Sequence, residues 1–332
     1  MILYIFKRIL YMIPTLILTS ILVFLLIELP PGDYFETYVN NLLAAGETVD
    51  PNQIEFLRRE YGFDLPIWER YFKWASGMLV GDFGYSFEYE LPVREVIGDR
   101  LFFTIIVTFF TIIFTWLVAF PIGIYSATHQ YSWGDYGLTF LGLLGLATPN
   151  FLLALIMMYL ANQWFGTAIG GLVDPEFVDQ PLSWAKFLSV LEHIWIPVIV
   201  IGTSGTAAMI RRVRANLLDE LRRPYVTTAR AKGLPETRGL MKYPFRMSLN
   251  FFIADIGGIL PQVISGAEVV AIVLSLETTG PLLIEALQSQ DMYLAGSFLM
   301  LLGFLTVIGV LLSDIALAFL DPRIRLSGGV SR

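Results

Sequence analysis

Residues 101–128 read LFFTIIVTFFTIIFTWLVAFPIGIYSAT, and this stretch contains no charged side chain. A membrane-crossing helix needs about 20 predominantly apolar residues, because each residue adds ~1.5 Å across a hydrocarbon core of ~30 Å. The stretch exceeds that length. It also lacks the short alternation of polar and apolar residues that is typical of strands in membrane barrels. Residues 101–128 are therefore predicted to form a membrane-spanning α-helix.

Five further apolar runs of comparable length follow or precede this one. Pro149 interrupts one of them, and the acids Asp255, Glu268 and Asp314 fall inside the last two. Ile54 and its helically spaced neighbours indicate that the region after the first run is partly helical. The prediction is an all-α membrane protein, a single domain over residues 1–332, with an outer region at 30–100. Its six transmembrane helices are expected at residues 9–29, 101–128, 138–163, 194–210, 249–276 and 293–320.

The composition excludes several other classes of protein. Hydrophobic residues make up 55% of the 332 residues and charged residues only 15%, whereas about a quarter of an ordinary soluble domain is charged. A net charge of -7 argues against nucleic-acid binding. The absence of cysteine excludes disulfides and Cys-ligated metals. With only two histidines, a His-rich metal site is not expected.

The distribution of charge predicts the orientation. If the N-terminus is cytoplasmic, most of the 22 Lys and Arg residues lie in the inner segments, as the positive-inside rule requires. Both termini and the loop at 211–248 are then cytoplasmic, and the outer region is acidic. Lys7 and Arg8 before the first run could mark a signal peptide, but the run is long and no small-x-small site follows it. An uncleaved helix is expected.

The inner loop, residues 211–248, reads RRVRANLLDELRRPYVTTARAKGLPETRGLMKYPFRMS. Pro224 suits the first turn of a short helix, Gly233 suits a left-handed cap at its end, and Pro235 prevents its continuation. Charge alone fits a loop that touches anionic lipid headgroups. The small residues and the defined stop favour a helix of ~12 Å on which a cytoplasmic protein docks. The residues assigned to this docking helix are Tyr225, Thr227, Thr228, Ala229, Arg230, Ala231, Lys232 and Gly233.

Residues 225–234, YVTTARAKGL, resemble the "EAA" loop of ABC importer permeases, in the version found in dipeptide, oligopeptide and nickel permeases. The similarity extends over nearly the whole chain. Its pieces are YIFKR at 4–8, PGD at 31–33, YGFD at 61–64, GDFGYS at 81–86 and DPRIR at 321–325. Each piece is weak alone, but their shared order is specific. The resemblance implies the type I importer permease fold in a prokaryotic inner or plasma membrane.

The resemblance also implies partners, since this chain has no G-x-x-x-x-G-K-[ST] motif for ATP. The expected complex contains a second, homologous permease, two cytoplasmic ATPase subunits that bind ATP and Mg, and an external solute-binding protein. No cofactor and no nucleic acid is expected on this chain. The ATPases are expected to push on residues 225–233, and the helix bundle then opens its path to each side alternately.

The family resemblance makes peptides the first choice of substrate. The fifth run departs from the family pattern, because Glu268 is shifted by about one helical turn. Oligosaccharides therefore stay an alternative substrate. Nickel fits least, because the chain offers few side chains that bind a transition metal. A different class, a transporter driven by an ion gradient, would use Asp255 and Glu268 as a relay. An intramembrane enzyme is disfavoured, because no catalytic motif was found.

Ionisable residues inside the membrane are costly, at ~2.5–3.5 kcal/mol each on insertion scales, and they often mark function. Glu268 and Asp255 are therefore candidates for the translocation path, and Pro149 is a candidate for a bend that shapes it. A hydrogen bond between helices is the plainer explanation for such acids. Asp314, near the cytoplasmic end, is expected to pair with an inner arginine such as Arg323. Asp314, Asp321 and Arg323 are assigned structural roles.

Overall fold

A computed structural model gives the architecture of the chain. It describes residues 2–44, 46, 50–165, 170–177, 180, 183–254 and 268–320. Helices dominate, and the only strands among these residues form one short hairpin, β1 (Tyr85–Ser86) and β2 (Leu91–Pro92). The helices, in chain order, are α1 Ile2–Glu28, α2 Tyr34–Ala44, α3 Pro51–Glu60, α4 Ile67–Leu79, α5 Val93–Thr128, α6 Trp133–Ala147, α7 Asn150–Phe165, α8 Trp184–His193, α9 Trp195–Leu221, α10 Pro224–Ala231, α11 Glu236–Lys242, α12 at 244–254, α13 Glu268–Val273, α14 Thr279–Gln288 and α15 Met292–Leu320.

Four of these helices, α1, α5, α9 and α15, are long and apolar enough to cross a membrane. The predicted third span is two helices, α6 and α7, which meet at an angle of 98° around Pro149. Pro149 has no N–H to donate and its ring clashes with the preceding turn, so the break expected there is confirmed. Counting this pair as one span gives five spans in the described residues. Residues 255–267, in the middle of the predicted fifth span, lie outside them, so a count of six stays a prediction.

Helix α9 corrects one predicted boundary. The expected span ended at residue 210, but the helix continues to Leu221, so the first part of the segment 211–248 is not a loop. The continuation contains no Gly or Pro and is rich in Arg and Leu, which favour helix. Val213 and Leu217, one turn apart, are fully buried and hold this extension against the protein.

The chain forms two compact units. One contains residues 103–277 and 309–332, and α9 is its central helix, with α6, α7, α8 and α13 packed against it. Close approach depends on small residues at the helix crossings. A Cβ atom on Gly202 would lie 2.6 Å from the ring of Phe114, and one on Gly145 would lie 2.7 Å from the Thr203 side chain. Larger residues at these glycines would push the helices apart.

The second unit contains residues 2–102 and 278–308, and it includes the predicted outer region. Helices α2 to α4 and the β-hairpin confirm that this region is partly helical. Its hairpin is anchored by the buried carboxylate of Asp291, which accepts hydrogen bonds from the Ser86 hydroxyl at 2.6 Å and from the N–H groups of Phe87 at 2.9 Å and Leu294 at 3.1 Å. Burial raises the pKa of Asp291, although these donors oppose that shift.

Candidate functional site

The short helix α10 begins three residues after α9 ends. Arg222 closes α9, and Arg223 is extended, with φ -72° and ψ 145°, so the chain turns between the two helices. Pro224 occupies the first turn of α10, where its fixed φ and missing N–H suit a helix start. The local structure expected from the sequence is confirmed here, and α10 directly follows α9, the central helix of its unit.

The end of α10 is a Schellman cap. Gly233 has φ +76°, its N–H donates to the Arg230 carbonyl at 2.9 Å, and the Leu234 N–H donates to the Ala229 carbonyl at 3.3 Å. These two bonds satisfy carbonyls that the helix end leaves unpaired, and only glycine adopts this φ without strain. The chain then passes through Pro235 into α11. The capped helix has a fixed shape, as a docking element requires.

The two sides of α10 differ sharply in exposure. Val226 and Ala229 are each only 7% exposed and pack inward. Ala229 thus lies on the inward side of α10, which corrects the expectation that a partner approaches this residue. The exposed side presents small and basic residues, which are Thr227, Thr228, Arg230, Ala231, Lys232 and Gly233.

Tyr225 fixes the base of α10. Its hydroxyl donates a hydrogen bond to the Glu220 carboxylate near the end of α9, and its ring lies 6.4 Å from that of Tyr243. Burial, together with the bond to Glu220, raises the pKa of the Tyr225 phenol. Tyr225 therefore stays neutral at physiological pH and ties α10 to α9. A displacement of α10 is thereby passed to α9 by a covalent link and by this hydrogen bond.

Two of the proposed path residues lie on elements that pack together. Pro149 precedes α7. Glu268 is the first residue of α13 and is half-buried, and α13 packs against both α7 and α9. The Asn150 amide also donates to the Ser204 hydroxyl of α9 at 3.4 Å. Asp255, the third candidate, lies outside the described residues. The bend at Pro149, the Glu268 side chain and α9 thus belong to one packed group of helices.

The structural assignments near the C-terminus are resolved only in part. Asp314 lies on α15 and is half-buried, whereas Asp321 and Arg323 lie outside the described residues. The neighbouring Ser313 hydroxyl donates to the carbonyls of Ile253 and Ala254 at the end of α12. The pairing of Asp314 with an inner arginine stays a prediction.

Sequence reasoning missed a buried ion pair. Asp135, near the start of α6, is only 2% exposed, and it accepts hydrogen bonds from Arg214 of α9, at 3.1 Å to Nε and 2.8 Å to Nη2. The Tyr131 N–H donates to the same carboxylate at 3.0 Å. The position of Asp135 three residues after the N-cap Ser132 was the available signal that it begins a helix.

Within the described residues, no three His, Asp or Glu side chains are grouped so that they could hold a metal ion.

Comparisons with known proteins agree with this arrangement. Residues 119–326 match the family model "Binding-protein-dependent transport system inner membrane component", and residues 1–108 match the model of the N-terminal part, "Binding-prot-dependent transport system membrane comp, N-term". The first match includes α9, α10 and α15, and the second includes α1 and the outer region. Together the two models cover most of the chain.

Similar curated proteins extend over nearly its full length. An oligopeptide transport system permease protein, AppB, of Bacillus subtilis is 32% identical over 97% of this chain and 98% of its own. A putative peptide transport system permease protein of Brucella abortus is 32% identical with the same coverage, and the dipeptide transport system permease protein DppB of Escherichia coli is 29% identical, also with the same coverage. The chain therefore belongs to the family of inner membrane components of binding-protein-dependent transport systems.

Proposed function

We propose that this chain is the permease subunit of an ATP-driven, binding-protein-dependent importer of peptides. The relatives that align over its full length are named as peptide, oligopeptide or dipeptide permeases, which supports peptides over oligosaccharides. A transporter driven by an ion gradient is not favoured, since it gives no reason for an exposed, capped helix at the end of α9.

The observation that carries the mechanism is this exposed side of α10. Two cytoplasmic ATPase subunits, which bind ATP and Mg, dock there, one on this chain and one on a second, homologous permease. A solute-binding protein delivers the peptide to the outer region. The basic residues around α10 support a cytoplasmic location for this helix and for both chain termini, as the positive-inside rule expects.

Closure of the ATPases moves α10, and α9 follows because the two helices are joined by a short turn and by Tyr225. The bent pair of α6 and α7 packs against α9, as does α13 with Glu268. Movement of α9 therefore reaches both the bend at Pro149, between α6 and α7, and Glu268 on α13. The path opens alternately to each side as these helices shift as rigid bodies.

Ala231→Arg tests the docking surface. Ala231 is exposed on α10, so an arginine there leaves the cap and the core intact but intrudes on a close-packed partner, and overpacking costs ~1–3 kcal/mol. We expect the affinity of the permease pair for its ATPases to fall about tenfold or more. Co-purification and titration of the ATPase subunits against the permease in nanodiscs measure this affinity.

Ala215→Arg is the matched control, since Ala215 is exposed on α9 and lies off the surface of α10. It is expected to leave ATPase affinity unchanged. If Ala231→Arg binds the ATPases as tightly as the control does, the docking role of α10 is wrong. If both variants bind normally and a proton gradient alone drives uptake, the ATP-driven importer is wrong as a whole.

Glu268→Gln tests the translocation path. The substitution keeps the shape of the side chain and removes the charge, and a hydrogen bond to a charged group contributes ~1.5–3 kcal/mol. We expect KM for peptides with a cationic N-terminus to rise about tenfold, with a smaller change for N-acetylated peptides. Uptake into proteoliposomes measures both. Glu277→Gln, at an exposed position, is the control, and equal kinetics for the two variants would remove Glu268 from the path.

A further inference from the structure

A separate cavity lies between α6 and α9, at the end of α9 that leads to α10. Its volume is about 360 Å³, and it runs over two turns of each helix, or about 10 Å. Charged groups surround one end, and apolar side chains line the rest. The lining residues used below are Asp135, Gly142 and Leu143 of α6, with Ala207, Ile210 and Arg211 of α9.

The charged end has one cation in excess. Asp135 is neutralised by its bidentate ion pair with Arg214. Arg211, one turn further into α9, also lines the cavity; its side chain is exposed and makes no ion pair or hydrogen bond that the described residues show. The guanidinium of Arg211 is therefore available to an anion, and its planar fork of N–H donors matches the geometry of a phosphate.

The aromatic residues at the same end place it at the membrane–water boundary. Tyr131, Trp133 and Tyr136 are all exposed there, and Tyr131 and Tyr136 line the cavity. Exposed tyrosine and tryptophan are enriched at the level of the lipid headgroups. Arg211 thus lies at the depth where a phosphodiester of the inner leaflet is found.

The inner end of the cavity is open because two facing residues are small. A Cβ atom on Gly142 would lie 3.9 Å from that of Ala207, in ordinary contact, so larger side chains at either position would close the space. Leu143 lines the cavity and is exposed, as are its neighbours Phe140 and Leu144. The cavity is therefore continuous with an apolar, outward-facing surface of α6.

We propose that this cavity binds an anionic phospholipid of the inner leaflet. The phosphate pairs with Arg211 between the tyrosine rings, and one acyl chain lies along Gly142, Leu143, Ala207 and Ile210. The assignment rests on the cytoplasmic orientation proposed above for this end of α9. A lipid bound there contacts both α6 and α9, so it stabilises their packing next to the docking helix.

Native mass spectrometry of the assembled transporter, released from nanodiscs of phosphatidylglycerol and phosphatidylcholine, tests this site. We expect retention of phosphatidylglycerol over phosphatidylcholine. Arg211→Gln should lower the retained phosphatidylglycerol about fivefold, as expected from the contribution of one arginine near an anionic surface. Gly142→Leu, which fills the inner end, should lower it to a similar extent.

Two controls separate the site from general effects. Arg222→Gln removes an exposed cation at the end of α9, and Gly137→Leu adds a leucine to α6 where open space surrounds the backbone. Both should retain lipid as the wild type does. Equal retention by all variants, or equal retention of the two lipids, would overturn the proposal. A photo-crosslinker at Leu143 that captures the second permease instead of lipid would also overturn it. ATPase affinity, measured on the same samples, reports on the transport function separately.

Discussion

Arg214→Ala is expected to lower the free energy of unfolding by about 3–5 kcal/mol, because it leaves the buried carboxylate of Asp135 without its partner. The carboxylate keeps only the Tyr131 N–H and weaker hydroxyl contacts, which do not replace two charge-assisted hydrogen bonds. Thermal unfolding of the purified permease in detergent, followed by the loss of its helical circular dichroism, measures the loss of stability. Transport should fall with it, since α6 loses its ion pair with α9 while the rest of their packing stays.

The double variant Asp135→Asn with Arg214→Gln separates the charge from the contact. With neither charge left in the interior, the loss should be clearly smaller than for Arg214→Ala alone. Arg222→Ala, which removes an exposed arginine from the same end of α9, should change stability by less than about 0.5 kcal/mol. If Arg214→Ala is as stable as Arg222→Ala, the ion pair does not hold the two helices together.

The ion pair also bears on transport. Asp135 lies two residues into α6, whose other end meets the 98° bend at Pro149. Arg214 lies between the core part of α9 and the turn that leads to α10. A movement of α10 would thus reach the bent pair through this ion pair as well as through the packing of α6 and α7 on α9. Loss of this contact should raise the ATP hydrolysed per peptide transported, which loss of stability alone would not do.

Much of the fold follows from the sequence because a bilayer imposes strict rules. Helices α1, α5, α9 and α15 were predictable from long apolar runs with few or no charges, since a spanning segment must satisfy its own backbone hydrogen bonds. The bend at Pro149 and the cap at Gly233 were predictable because proline and glycine constrain the backbone directly. These features depend on neighbours in the sequence and need no knowledge of the tertiary structure.

Other features depend on contacts between distant residues and were not predictable in this way. Asp135 and Arg214 are far apart in the chain, and the sequence around either residue does not indicate that the two form an ion pair. The inward position of Ala229 depends on which side of α10 meets the rest of the unit, and a helix of eight residues carries too little apolar pattern to decide that. The anchor at Asp291 likewise depends on a hairpin that is remote in sequence.

Gly233→Pro should have the largest effect on function. Proline fixes φ near -65°, whereas this position has φ +76°, so the chain cannot turn here as it does in the native protein. The substitution also removes the N–H that donates to the Arg230 carbonyl, and it displaces the bond from Leu234 to Ala229. The end of α10 loses both capping bonds, and Ala229 and Val226 lose the geometry that buries them.

We expect Gly233→Pro to weaken ATPase binding by at least about a hundredfold and to abolish ATP-dependent uptake, because the strain exceeds ~3 kcal/mol at the docking element. The rest of the bundle should still insert, since the long apolar helices lie elsewhere; protease protection in membrane vesicles checks this. Gly239→Ala, on α11 with open space around it, is the matched control and should bind the ATPases normally. An inserted Gly233→Pro permease that still binds its ATPases would show that the shape of this cap is not what the ATPases recognise.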